Sequence, residues 1–107
     1  MTDVHPTFAE IEALLDDVTP RALDEIEDTL TTGYAAALAL EAERWRIERR
    51  ISELAVELGG DADREPSRAQ EIVELAQRLS GADADLTRLR ELLGSLRDRA
   101  DAARAAA

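Results

Sequence analysis

Two long series of mostly apolar residues constrain the fold of this chain more than any other feature. The first spans residues 23–58 and the second residues 72–103, and the members of each follow one another at intervals of three and four residues. This spacing places every member of a series on one face of an α-helix. The dipeptide Gly59-Gly60 lies between the two series and is a helix breaker. The pattern predicts an all-α fold in which two long helices form an antiparallel, coiled-coil-like hairpin.

The two series also predict how the helices face each other. A register that pairs Leu54 with Ile72 also pairs Gly33 with Leu93 further along the hairpin. In several layers a small residue then lies opposite a large one, as the close packing of two helices requires. We call this row of facing residues the seam. Gly33 and Gly81 are the positions at which the long helices could bend.

Signals for helix ends divide the chain into segments. Thr7 and Ser67 each precede a glutamate or a glutamine by three residues, which is a capping-box pattern. Thr19 places a capping hydroxyl before Pro20, and proline is favoured at the first position of a helix. A length of 107 residues is typical of one domain. We therefore predict a single helical domain, 1–107, with a short helix at 7–18, a long helix at 20–58, a turn at 59–66 and a long helix at 68–104.

A second apolar stripe on the first long helix lies away from the seam. We expect the short helix to fold back over the long one only as far as about Tyr34 or Leu38, because both helices rise about 1.5 Å per residue. Exposed apolar surface of this kind marks an interface. We predict that a second copy packs here to form a dimeric helical bundle, the alternative being that Trp45 anchors a different protein. The apolar stripe consists of Tyr34, Leu38, Ala42, Trp45 and Val56, with Arg49 and Ser52 between them; the predicted interface is Tyr34, Leu38, Trp45, Arg49 and Val56.

Arg44 interrupts the seam opposite Ala82. Burying a guanidinium is costly unless the group is paired and hydrogen-bonded. One hypothesis is a polar seam layer in which Asp83 or Asp85 pairs with Arg44 and fixes the register. The simpler interpretation is that Arg44 extends past Ala82 and Gly81 into solvent.

Arg44 also belongs to a basic cluster with Arg46, Arg49 and Arg50. Guanidinium groups bind carboxylates and phosphates through a planar fork, so one hypothesis is an anion site. The alternative is a solvated helix face with local pairs between Arg44 and Glu48 and between Arg49 and Glu53, four residues apart.

Composition narrows the function classes. A formal net charge of −11 opposes nucleic-acid binding, which needs a clustered basic face. The chain has no cysteine and only one histidine, His5, so we expect neither a thiolate metal site nor a metal cofactor. No stretch approaches the roughly 20 apolar residues of a membrane span, and the first residues lack the pattern of a secretory leader. We therefore expect a cytoplasmic protein without a cofactor.

About a dozen residues resemble a segment of a known enzyme family. The sequence Glu-Leu-Ala-Val-Glu-Leu-Gly at 53–59, followed by Asp-Ala-Asp-Arg-Glu at 61–65, is similar to the end of the first helix and the following Asp-x-x-Arg-Glu element of the all-helical chorismate mutases. That family holds the carboxylates of its substrate with a lysine and an upstream arginine. This chain has no lysine, and its equivalent stretch offers Ser52 and Glu41.

The hairpin architecture is also similar to that of actinobacterial anti-sigma proteins that bind a cyclic dinucleotide. The ladder of that family begins with glutamate, serine and arginine. Glu48 and Ser52 match the first two positions, but Ala55 stands where the arginine is required. This resemblance concerns the shape of the hairpin.

These observations predict a non-enzymatic cytoplasmic structural or adaptor protein that acts through helix association, either with itself or with a protein partner. The alternative is an acidic regulatory module that sequesters a basic partner such as a transcription factor. A small helical enzyme of the chorismate mutase type is the third candidate.

Overall fold

A computed structural model describes residues 2–16, 22–59 and 65–106 of the chain. These residues form three helices, α1 (His5–Asp16), α2 (Leu23–Leu58) and α3 (Glu65–Ala106), and none of them lies in a strand. The predicted all-α class is confirmed. The molecule is elongated, with extents of 66 × 17 × 16 Å.

Helix α1 begins two residues earlier than predicted, at His5. Thr7 is buried inside the helix, so its assignment as a capping residue was wrong. The carboxylate of Asp3 takes that role, because its Oδ1 accepts a hydrogen bond from the backbone N–H of His5 at 3.0 Å and lies 2.9 Å from the His5 Nδ1 atom. These side-chain and backbone bonds from His5 lower the pKa of Asp3.

Helix α2 begins later than predicted and ends where predicted. Ala22 has an extended backbone, with φ −60° and ψ 136°, so the helix starts at Leu23. Thr19 and Pro20, on which the predicted start rested, lie outside the described residues, as does the predicted end of the short helix at Val18. At the other end the helix stops at Leu58, and the N–H of Gly59 donates to the carbonyl of Val56 at 3.2 Å.

Helix α3 begins at Glu65, three residues before the predicted start at Arg68. Ser67 lies within its first turn, so the second capping-box assignment was also wrong. Pro66 does not stop the helix because the first four amides of a helix have no acceptor within it, and a missing N–H costs little there. The helix then continues through Gly81 and Gly94 to Ala106, two residues beyond the predicted end.

Helices α2 and α3 run in opposite directions and pack along the seam. Ion pairs mark the two ends, with Arg104 Nη2 2.7 Å from Glu27 Oε1 and Arg68 Nη1 3.0 Å from Glu57 Oε2. Between these ends and closer to Glu27, a Cβ atom added to Gly33 would overlap the buried side chain of Leu93. A side chain at position 33 would force Leu93 to move, so glycine allows the close approach of the two helices at this layer.

Helix α1 packs against both long helices near the C-terminal end of α3. Its buried face consists of Val4, Thr7, Phe8, Ile11 and Leu14. Leu15 packs against the same core but is only partly buried.

Polar contacts fix α1 in this position. The backbone N–H of Thr2 donates to Glu43 Oε2 at 3.1 Å, and Thr29 Oγ1 donates to Glu10 Oε1 at 3.3 Å. From α3, Arg99 Nη2 donates to the carbonyl of Leu15 at 2.6 Å. These contacts place α1 on the flank of α2 formed by residues 29, 36 and 43, across the seam from Tyr34.

The chain just before α1 reaches Glu43, a little beyond the limit expected at about Tyr34 or Leu38, and it lies on the other flank of α2. The flank that receives α1 carries the small residues Thr29 and Ala36, which allow a third helix to approach closely. As a result the hairpin has a three-helix end, where α1 covers it, and a two-helix end, which holds residues 44–59 and 65–81.

Candidate interaction surface

The apolar stripe lies on the outer face of α2, and the four large side chains in it are exposed to solvent. Their exposed fractions are 38% for Tyr34, 68% for Leu38, 58% for Trp45 and 79% for Val56. Ala42 and Ser52 are exposed between them. The stripe extends over both the three-helix end and the two-helix end of the hairpin.

Arg49 lies against Trp45, the central large side chain of the stripe. Its guanidinium carbon lies 5.3 Å from the centre of the Trp45 ring, which is within cation–π distance. Its Nε lies 3.4 Å from Glu53 Oε1 one turn further along. This pairing restricts Arg49 and leaves it beside the exposed indole.

A groove of about 380 Å³ adjoins the stripe between α2 and α3. Tyr34 and Leu38 belong to both the stripe and the groove. Arg97 donates a hydrogen bond to the Tyr34 hydroxyl, and its guanidinium carbon is 5.4 Å from the centre of the Tyr34 ring. We call this feature the Gly94 groove; it is lined by Tyr34, Ala37, Leu38, Glu41, Arg90, Leu93, Gly94 and Arg97.

Gly94 has no packing role within the described fold. A Cβ atom added there would meet no described atom within 4 Å outside its neighbours and the local helix backbone, in contrast to one added at Gly33. Glycine inside a helix costs about 1 kcal/mol relative to alanine. Gly94 therefore lowers the stability of α3 and leaves an open space beside the backbone of this helix.

Arg44 pairs with Asp83 at the edge of the seam. Its Nε lies 2.6 Å from Asp83 Oδ1, a contact that is not aligned as a hydrogen bond, and its Nη2 lies 3.4 Å from Glu48 Oε1. The Arg44 side chain is 41% exposed, so its head group reaches solvent. Asp85 lies elsewhere on α3, in a groove near Thr2, and does not join the layer proposed for it.

The structure does not bring the four arginines of the basic cluster together. Arg44 pairs with Asp83 and Arg49 lies over Trp45, whereas Arg50 Nε is 3.4 Å from Glu71 Oε1. Arg46 and Arg50 line one groove together with Arg78 from α3, apart from Arg44 and Arg49. A single anion site built from the cluster is therefore not formed.

Sequence reasoning missed Glu43, which is only 6% exposed. Besides accepting the Thr2 N–H bond, its Oε1 lies 3.9 Å from Arg78 Nη2. The available signal was the seven-residue spacing of Thr29, Ala36 and Glu43, which places all three on the flank that meets α1.

The described residues contain no cluster of three or more metal-ligating side chains, and none of their helices is long and apolar enough to cross a membrane. His5 contacts Asp3 at an exposed position. Of the residues in the segment that resembles chorismate mutases, 61–64 lie outside the described residues. Ser52 is exposed on α2, and Glu41 pairs with Arg90 at the rim of the Gly94 groove.

Comparisons with models of protein families, with curated proteins and with solved structures found no match to this chain. The fold and its surface therefore define the class of protein: an elongated all-α hairpin with an exposed apolar stripe.

Proposed function

We propose that this is a non-enzymatic cytoplasmic protein that acts through helix association, and that the apolar stripe is its homodimer interface. The observation that carries the proposal is the exposure of Trp45, Leu38 and Val56 along one face of α2. Contiguous apolar surface on a small protein favours association because water is released when it is covered.

The residue types in the stripe also support this role. Full burial of a large apolar side chain contributes about 1.5 to 3 kcal/mol, and a two-fold dimer would cover each stripe residue in both copies. Tryptophan and arginine dominate interface energetics, and here Arg49 is already positioned against the Trp45 ring. A helix held in a rigid hairpin also loses little freedom when it binds.

The test is the solution mass of the wild type, of Trp45→Ala and of Val73→Ala. Val73 is the matched control because it is 52% exposed but lies on α3, outside the stripe. We expect dimers for the wild type and for Val73→Ala, and monomers for Trp45→Ala. A dimeric Trp45→Ala protein, or a monomeric wild type, would contradict the proposal.

The net charge of −11 favours a second candidate, an acidic module that captures a basic partner. In that case the wild type would be a monomer, and binding to a basic protein would weaken steeply with salt. The dimer is our first proposal because the exposed stripe is apolar. Unlike binding to a basic protein, association through the stripe should not weaken with salt.

A further inference from the structure

Gly94 leaves an open space on the face of the hairpin that adjoins the apolar stripe. Leu93 fills the space beside Gly33 in the seam, whereas a Cβ atom added to Gly94 would meet nothing within 4 Å. A side chain at position 94 would fill the floor of the Gly94 groove. The groove adjoins the apolar stripe, since Tyr34 and Leu38 line it.

We propose that the Gly94 groove is the socket for Trp45 of a second copy of this chain. This inference rests on the proposed dimer and specifies how its two surfaces fit together. The groove volume of about 380 Å³ falls within the range of pockets that hold small organic ligands, about 300 to 1,000 Å³. Its floor is formed by Ala37, Leu93 and Gly94, which present carbon atoms to an incoming ring.

The spacing along α2 makes the fit reciprocal. Leu38, at the wall of the groove, and Trp45 are seven residues apart, which is roughly 10 Å along a helix. In a two-fold interface, if residue i contacts residue j, then j also contacts i. Two antiparallel α2 helices with the axis between Glu41 and Ala42 would set each Trp45 beside Leu38 of the other copy. Both grooves would then be filled at the same time.

One pair of charges beside the ring and the groove is complementary. Glu48 lies three residues beyond Trp45 and is exposed, whereas Arg97 forms one rim of the groove and is also exposed. In the same antiparallel arrangement, Glu48 of the second copy falls opposite position 35, next to Tyr34 and its partner Arg97. Opposite charges at these positions would fix the register and orientation of the two copies.

The test fills the socket without disturbing the hairpin. Gly94→Leu adds a side chain where space is open, and Gly81→Leu is the matched control because a Cβ atom there also meets nothing within 4 Å. Gly81 lines a groove on the α1 side with Thr2 and Asp85, away from Trp45. Dimer dissociation constants would be measured by light scattering over a dilution series, with the emission of Trp45 recorded in parallel.

We expect Gly94→Leu to weaken dimerisation at least tenfold and to shift Trp45 emission to longer wavelength, as water replaces the socket. Its helix content by circular dichroism should equal that of the wild type, which would show that the hairpin is intact. Gly81→Leu should dimerise like the wild type. If Gly94→Leu dimerises normally while Trp45→Ala is monomeric, the socket is overturned and the proposed interface stands. If Trp45→Ala is dimeric, both fall.

A charge exchange gives a second, independent readout. Glu48→Arg and Arg97→Glu should each weaken the dimer several-fold, and the double variant should regain most of the lost affinity. Additive losses in the double variant would overturn the antiparallel register proposed here.

Discussion

The two ends of the hairpin use the same two helices but bury the seam to different degrees. At the three-helix end, Leu86, Leu89 and Leu96 are almost completely buried beneath α1. At the two-helix end, Ile47, Leu54 and Leu75 form a smaller core, and the neighbouring seam residues remain partly exposed: Ile51, Ile72 and Leu79. Regular three-four spacing thus aligns two helices, but a third element is needed to enclose the seam.

The flank of α2 explains where that third element stops. At successive seven-residue steps it carries Thr29, Ala36, Glu43, Arg50 and Glu57. The first two are small and accept α1, and Glu43 binds the backbone of Thr2 at the start of the described chain. The last two are charged and pair with side chains of α3 instead. The change from small to charged residues divides the molecule into its two ends.

The largest expected difference between the ends concerns their cores. Leu89→Ala should lower the free energy of unfolding by about 4 kcal/mol, because three helices surround the cavity and cannot collapse into it. Leu54→Ala should cost about 2 to 3 kcal/mol, because the two-helix end can relax around the missing group. Urea denaturation of both variants measures this difference, and equal losses would show that α1 adds nothing to the rigidity of the core.

Glycine substitutions should separate the seam from the open groove. Gly33→Ala should destabilise the fold by about 1 to 3 kcal/mol, since the clash with Leu93 outweighs the better helix propensity of alanine. Gly94→Ala should stabilise it by about 0.5 to 1 kcal/mol, because the space beside it is open. The same denaturation experiment compares them, and a stabilising Gly33→Ala would refute the close approach at that layer.

Loss of the Glu43 carboxylate should loosen α1 selectively. Glu43→Ala removes the acceptor of the Thr2 N–H bond and should cost about 1 kcal/mol. Glu43→Gln keeps an oxygen acceptor and should cost less. Amide hydrogen exchange should become faster in α1 but not in residues 65–81 of α3; uniform acceleration would argue against a local anchor.

The smallest expected effect is the pH dependence of the cap at Asp3. Bonds from His5 lower the folded-state pKa of this carboxyl below its ordinary value of 3.8. The stability it contributes is therefore complete above the ordinary value and is lost as the pH falls through the lowered one. The helix signal of Asp3→Asn should lack this component between about pH 5 and about pH 2, measured by circular dichroism. Identical acid titrations of the two proteins would contradict the cap.

The sequence was informative where the signal was apolar and periodic. The seam spacing and Gly59 predicted the end of α2 at Leu58, and the pairing of Gly33 with Leu93 followed from the register. The position of α1 was missed because Thr29 and Glu43 are polar and Ala36 is small, so no large apolar side chain marks their flank. The capping boxes at Thr7 and Ser67 failed because both helices begin earlier, the first at a cap provided by Asp3.

The candidate site was predictable only in part for a similar reason. The exposed side chains of the stripe lie on one helix, so their spacing alone placed them on one face. The Gly94 groove combines residues of α2 and α3, and a glycine that contacts nothing leaves no pattern in the sequence. The open space beside Gly94 is recognised only by comparison with the filled space beside Gly33, and this comparison needs the packed structure.

Light scattering at low and at high salt tests the central claim most directly. If the apolar stripe is a homodimer interface, the mass will be twice the 11.7 kDa of one chain at both salt concentrations, because burial of apolar surface is not screened. A mass of one chain under both conditions would leave Trp45 exposed in solution and would contradict the account.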